Sequence, residues 1–343
     1  SADADIDSDD DGLSNAEEYR YGTNPLNSDT DEDGIDDKWE VTMKIDPLDS
    51  SDANSDPDYD GLDNLQEFRI NTDPLTADPV VDVSTYGVVI NNNRDDTASL
   101  QSAIDFCAEN SSICLLPDGV IKLNDLLYLH GDMTLIGGHN SVIETRKSDK
   151  YLINIGLKRA PEDNSTPIAG DIFTGTIANI TFDHKPSNEK NSGRIIYFWR
   201  TDGAKVQYNT FNLNETNYSA TSSGNNAAFY SGSVVLKNIK ITHNKVFGKW
   251  KLSNNTGDGS EGIGINGFDG AVISDNYIEG VADDPIGVHS CNNTDDDAPI
   301  IIKGNTVSSY DGRIFISNSK NVEIADNKVS RAPDAGDVFG RGQ

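Results

Sequence analysis

From Val206 onward, apolar and polar residues alternate in short runs, and each run ends on the same corner. The runs are VQYNTF at Asn209, ITHNKV at Asn244, ISDNYI at Asn276, IKGNTV at Asn305 and IADNKV at Asn327. Alternation at period two marks half-buried strands. The asparagines are 35, 32, 29 and 22 residues apart. The shortest interval reads as a bare rung and the longer ones as rungs carrying insertions, which predicts a parallel β-solenoid. Asparagine at a fixed corner can bond its own turn and tolerate left-handed backbone, so stacked copies would form an internal amide ladder.

A second repeat lies inside this one. Ser260-Glu261-Gly262-Ile263-Gly264-Ile265 returns 23 residues later as Asp283-Asp284-Pro285-Ile286-Gly287-Val288. Strands at 195–198, 262–265, 285–288 and 313–316 are expected on one sheet. Ile263, Ile265, Ile286, Val288, Ile314 and Ile316 would point inward. Gly264, Asn266, Gly287, His289, Arg313 and Phe315 would point outward. Equivalent positions in stacked rungs lie about 4.8 Å apart. Glu261 would then approach Asp284, with Asp283 at the same edge. Three crowded carboxylates are costly unless they hold a cation, share protons or do chemistry. The glycines would leave a floor open to an extended chain, or an unobstructed edge and nothing more.

Helical spacing appears upstream, in Asp95-Asp96-Thr97-Ala98-Ser99-Leu100-Gln101-Ser102-Ala103-Ile104. Thr97 is the expected N-cap, and Leu100, Ile104 and Phe106 or Cys107 form one apolar face. The strands ICLLPDGVIKL, 126–129 and MTLIGG follow. This order resembles the opening of pectate-lyase-like right-handed parallel β-helix proteins, where an amphipathic helix caps the first rung. The resemblance implies an all-β solenoid over residues 81–343. It implies no single activity, because hydrolases, lyases, epimerases and tailspikes share the opening.

Charge separates the first 80 residues from the rest. They hold 25 acidic and 4 basic side chains, against 32 and 23 in the remainder of a chain with net charge −30. That sign argues against a nucleic-acid partner, and no run of 18 apolar residues suggests a membrane span. Three acidic windows follow one template. Asp7, Asp9, Asp11, Leu13 and Glu18 form the first, Asp29, Asp31, Asp33, Ile35 and Glu40 the second, and Asp56, Asp58, Asp60, Leu62 and Glu67 the third. Each has carboxylates at positions 1, 3 and 5, glycine at 6, an apolar residue at 7 whose carbonyl would be a ligand, and glutamate at 12. Asn15, Asp37 and Asn64 stand at position 9. This is the oxygen-ligand pattern of a calcium loop, with glycine making the sharp turn. About three Ca²⁺ ions are expected, one per loop. Short helical segments follow (NAEEYRYG, DKWEVTMK, NLQEFRIN), each leading to Asn-Pro or Asp-Pro. No apolar helix precedes a loop, so paired helix–loop–helix hands are not expected. The array resembles thrombospondin type-3-like calcium repeats, which implies a rigid calcium-filled spacer over residues 1–80 of a secreted or cell-surface bacterial protein.

Insertions at 158–171, 185–192, 212–231 and 250–259 are expected to form cleft walls. Residues 183–251 carry ten basic and four acidic side chains. They also hold Tyr197, Phe198, Trp199, Tyr208, Phe211, Tyr218, Phe229, Tyr230 and Trp250. A basic, aromatic stretch suits an anionic polysaccharide, or reads as an aromatic core under a solvated basic face. The doubled motif resembles the active-site strands of polygalacturonases and related β-helix hydrolases. That resemblance makes Asp283 the general acid, with Asp284 and Glu261 orienting the attacking water and the anomeric centre inverting. His289 lies on the same face, and Tyr310-Asp311-Gly312-Arg313 stands where the family has Gly-His-Gly. One rival is a polysaccharide lyase, with Ca²⁺ on Asp258, Glu261, Asp283 or Asp284 and Arg313 or a lysine as base. Another is a tailspike-like or surface glycan-binding protein without catalysis. Cys107 and Cys114 form a disulfide or remain two buried thiols, and Cys291 is left over.

Overall fold

The computed structural model describes residues 4–145, 151–158, 168–169, 171–184, 194–213, 219–223, 235–248, 262–281, 284–291, 298–309 and 312–331. The chain divides into two compact units, Ser1–Val80 and Val81–Gln343. The first contains three helices of seven residues each: α1 (Asn15–Tyr21), α2 (Asp37–Met43) and α3 (Asn64–Ile70). Each starts at position 9 of its loop and ends on a left-handed residue, Gly22, Lys44 or Asn71. Ser14 and Asp63 close capping boxes with Glu17 and Gln66 at the starts of α1 and α3.

The second unit is a right-handed parallel β-helix. Among the described residues its strands form three parallel sheets of ten, eight and seven strands, with one two-stranded antiparallel pair, Leu157–Lys158 with Ile168–Ala169. Each strand pairs with its counterpart one rung on. Ile263, Ile286 and Ile314 stand in one column, and Ile265, Val288 and Ile316 in the next inward column. The rungs therefore stack apolar residues in rows, and Ile263, Ile265, Ile286 and Val288 are all buried. Phe182 and Phe211 stack with ring centroids 5.1 Å apart.

The corner asparagines form a ladder. Asn209, Asn244, Asn276 and Asn305 donate Nδ2 to the Oδ1 of the next asparagine, at 3.2, 3.0, 2.9 and 2.8 Å. Each of those Oδ1 atoms also accepts from the backbone N–H of the preceding asparagine, and each Nδ2 also reaches a carbonyl of the preceding rung, such as Val206 or Ile241. The left-handed residue is not the asparagine but the one before it: Tyr208, His243, Asp275, Gly304 and Asp326 all have positive φ. That turn frees the asparagine side chain to point inward along the stack.

Helix α4 (Thr97–Asn110) covers the first rung with Leu100, Ala103, Ile104 and Cys107, all fully buried. Phe106 is half exposed, so Cys107 takes the inner position. Asp96 rather than Thr97 occupies the N-cap. Thr97 is the first helical residue, and its Oγ1 accepts from the backbone N–H groups of Asn124 and Asp125. Gln101 bonds both ways with the Tyr128 backbone, at 2.9 and 3.0 Å, and fixes helix to strand. Cys107 and Cys114 are joined by a disulfide, with Cα atoms 6.1 Å apart. Cys291 is free and buried.

Candidate functional site

The three acidic loops adopt one conformation. In each, the glycine at position 6 has φ near +100°, at 99°, 96° and 101° for Gly12, Gly34 and Gly61. A side chain there would be strained. The glycine N–H donates to the first aspartate, Asp7, Asp29 or Asp56, at 2.8–3.0 Å. The next N–H, of Leu13, Ile35 or Leu62, donates to the position-5 aspartate at 2.6–2.8 Å. Those three apolar side chains are buried. Their burial pins the loops and turns the carboxylates toward a common centre.

Those centres are rich in acceptors that no protein donor meets. Glu18, Glu40 and Glu67 are each fully buried. Both carboxylate oxygens of Glu18 and Glu40 lack a partner, as do one of Glu67, both of Asp9 and Asp31, and one each of Asp7, Asp11, Asp33 and Asp58. Asp7, Asp9 and Asp11 bring ligand oxygens within 4.8 Å of one another, as do Asp29, Asp31 and Asp33, and Asp56, Asp58 and Asp60. Without a cation, burial pushes the Glu40 carboxyl up to about 9, and the charges of Asp33, Asp31 and Asp52 add to it. Burial likewise raises Glu67 to about 8 and Glu18 to about 7. Buried anions without donors are the condition a hard cation relieves, so the donor set fits Ca²⁺.

Three acidic residues beyond the template face these centres: Asp36, which burial raises to about 6 with the Asp11 charge adding to it, Asp52 and Asp78. Asp52, on the short 3₁₀ turn Asp52–Asn54, groups with Asp33 and Glu40 within 4.8 Å. The Asp78 charge acts on Glu67, and its backbone N–H donates to Asp60 at 2.8 Å. The sequence carried one signal for Asp52. The Asn24 N–H donates to Thr30 Oγ1 and the Asp46 N–H donates to Asp52 Oδ2, each reaching six residues on from its X-Pro turn.

On the β-helix, the seven-stranded sheet sets Gly264, Gly287 and Phe315 in one column, and Asn266, His289 and Ser317 in another; Gly264 and Gly287 are buried, so the glycines do not form the expected open floor. Asp284 is nearly buried and accepts from Arg313 Nε at 2.6 Å. The guanidinium also lies over the Phe315 ring, 5.2 Å from its centroid. His289 Nδ1 contacts Ser317 Oγ at 2.8 Å, and its ring lies against Phe315. The structure thus gathers Asp284, Arg313 and His289 on one sheet. Glu261 and Asp283, like Asp258, lie outside the described residues. Gly262 has a packing reason to be glycine, since a Cβ there would fall 2.6 Å from the Pro285 carbonyl oxygen.

The aromatic stretch divides. Phe198 and Phe211 belong to the core, and Tyr197 is almost fully buried against Trp199. Trp199 Nε1 donates to Asn154 at 3.1 Å. Tyr208 stacks on His243. Tyr218, Phe229, Tyr230 and Trp250 lie outside the described residues, as do most of the four expected insertions.

Residues 7–28 and 29–50 match the bacterial TSP3 repeat, a calcium-binding repeat. No curated protein matches the chain. Solved structures similar to it include a glycosyl hydrolase-like protein from Parabacteroides merdae, at 14% identity and TM-score 0.39, covering 73% of this chain and 97% of that one. The mannuronan C-5 epimerase AlgE4 A-module of Azotobacter vinelandii matches at 14% identity and TM-score 0.26, over 73% and 95% of the two chains. The surface adhesin PfbA of Streptococcus pneumoniae matches at 12% identity and TM-score 0.29, over 72% and 89%. At these scores the likenesses bear on neither activity nor substrate.

Proposed function

We propose that the chain is an extracellular or cell-surface bacterial protein in which a calcium-loaded spacer carries a polysaccharide-acting β-helix. One Ca²⁺ would sit in each loop. The ligands would be Asp7, Asp9, Asp11, Glu18 and the Leu13 carbonyl, Asp29, Asp31, Asp33, Glu40 and the Ile35 carbonyl, and Asp56, Asp58, Asp60, Glu67 and the Leu62 carbonyl. The unpartnered, buried glutamates at position 12 support this reading. The Cys107–Cys114 disulfide suits an oxidising compartment.

For the β-helix, hydrolysis of an anionic polysaccharide is the reading the geometry supports best. The carrying observation is the Asp284–Arg313 pair, with Phe315 between Arg313 and His289. A carboxylate gripped by arginine is placed to accept from water rather than to deliver a proton. That suits Asp284 to orient the nucleophilic water with Glu261, and leaves Asp283 as general acid to the glycosidic oxygen. The half-exposed Arg313 would also meet a substrate carboxylate. The lyase reading fits less well. It asks Asp284 to turn from Arg313 to Ca²⁺, or asks an arginine already paired with a carboxylate to act as base. Binding without cleavage is supported by the Arg313–Phe315 platform, which offers both charge and a ring face.

Incubation with a panel of acidic polysaccharides separates the three. New reducing ends without ultraviolet absorbance are expected. Ends with unsaturated-uronate absorbance would establish the lyase, and retention without cleavage the binding protein. Asp283→Asn should lower turnover at least about 100-fold; a fully active variant would remove Asp283 from the mechanism.

A further inference from the structure

The three loops share a template but not a full ligand set. Asp33, Glu40 and Asp52 each bring a carboxylate oxygen within 4.8 Å of the other two. Asp52 Oδ2 accepts from the Asp46 N–H at 3.1 Å, while its Oδ1 is buried and meets no donor. Glu40, fully buried with both oxygens unpartnered, shares this centre. In the first repeat the place of Asp52 belongs to Thr30. The Thr30 hydroxyl accepts from the Asn24 N–H at 2.8 Å and donates to Asp37 Oδ2 at 2.7 Å, so it is already engaged.

Building on the calcium-spacer reading, we infer that Asp52 is a direct ligand of the second ion, contributed by chain downstream of its loop. The second site then gathers the carboxylates of Asp29, Asp31, Asp33, Glu40 and Asp52. Calcium affinity rises with ligand charge and site rigidity. Asp52 therefore tightens this site, and its ligation clamps the turn that follows α2, so binding there orders chain beyond the loop itself.

The test is calorimetric titration of the full chain, stripped with chelator, with CaCl₂. Wild type should take three ions. Asp52→Asn should weaken one of them by about tenfold or more without changing the stoichiometry. Asp49→Asn removes the same charge from the same turn at an exposed side chain that bonds only Ser51, and should leave all three affinities within about twofold. Far-ultraviolet circular dichroism at saturating calcium checks that each variant folds. If Asp52→Asn weakens binding no more than Asp49→Asn does, the ligand assignment is overturned while the spacer reading stands. If wild type binds no calcium, the spacer reading itself falls.

Discussion

Residues 7–67 bury carboxylates in rows, and residues 209–327 bury amides in a column; both use repeated polar side chains to order backbone that apolar packing alone would leave loose. A carboxylate only accepts. Glu18, Glu40 and Glu67 are sealed from water with oxygens that no protein donor reaches, so their charge must be answered from outside the chain. A primary amide accepts and donates. Asn209, Asn244, Asn276 and Asn305 each hand one Nδ2–H to the Oδ1 of the next asparagine and the other to a backbone carbonyl, so the ladder is satisfied within the chain. The first region's stability is thus a property of the solution, through its cations and its pH. The second carries its stability internally. Two repeats with equally regular spacing can therefore differ completely in what holds them.

Removing the ions should expose this contrast most sharply. In excess chelator the first unit is expected to lose its helical circular dichroism and its melting transition, while the β-helix transition stays. Its residual order should then follow pH with a definite sign. Without metal, the folded-state values of Glu18, Glu40 and Glu67, about 7, 9 and 8, lie above the ordinary 4.5. The folded form therefore binds more protons than the unfolded one. That contribution is complete below about pH 4.5 and disappears as pH rises through 7 to 9. With calcium bound the sign reverses, because protons compete for the same oxygens and falling pH releases the ions. A metal-free unit that grows more stable as pH rises would contradict the burial of these groups.

A smaller effect comes from making the second region resemble the first. Asn276 donates to Asn305 Oδ1 and to the Ile241 carbonyl, and accepts from the side chain and backbone of Asn244. Asn276→Asp keeps the acceptors, removes both donor bonds and buries a charge facing two oxygens. A loss of roughly 3–5 kcal/mol in denaturant melts is expected. Calcium should not restore it, since the surrounding ladder positions are amides.

The smallest effect tests the cap. Replacing both Cys107 and Cys114 with alanine should cost about 2–3 kcal/mol and lower the β-helix transition, leaving the first unit's calcium response untouched. A change in that response would mean the two regions are not separately stabilised.

Much of this was legible along the chain because it depends on short spacings. The calcium loops need six or seven defined positions within twelve, and the backbone follows from them locally. The helix at 97–110 announces itself by an apolar face, and the corner asparagines by alternation on either side. Even there two features fall one residue from where local pattern puts them: the left-handed turn lies before each asparagine, and Asp96 rather than Thr97 caps the helix, because both details depend on which group the neighbouring rung or turn offers as a partner.

What the tertiary structure alone decided is who meets whom across a gap. Asp52 reaches Glu40 only because the turn after α2 folds back. Asp284 meets Arg313 only because two strands 28 residues apart stack in register. Phe198 and Phe211 lie in the core although their stretch reads equally well as a sugar platform. Periodicity determines that a residue faces in or out. Which partner it finds is settled by the length and path of the connections between rungs, and those carry no period to read.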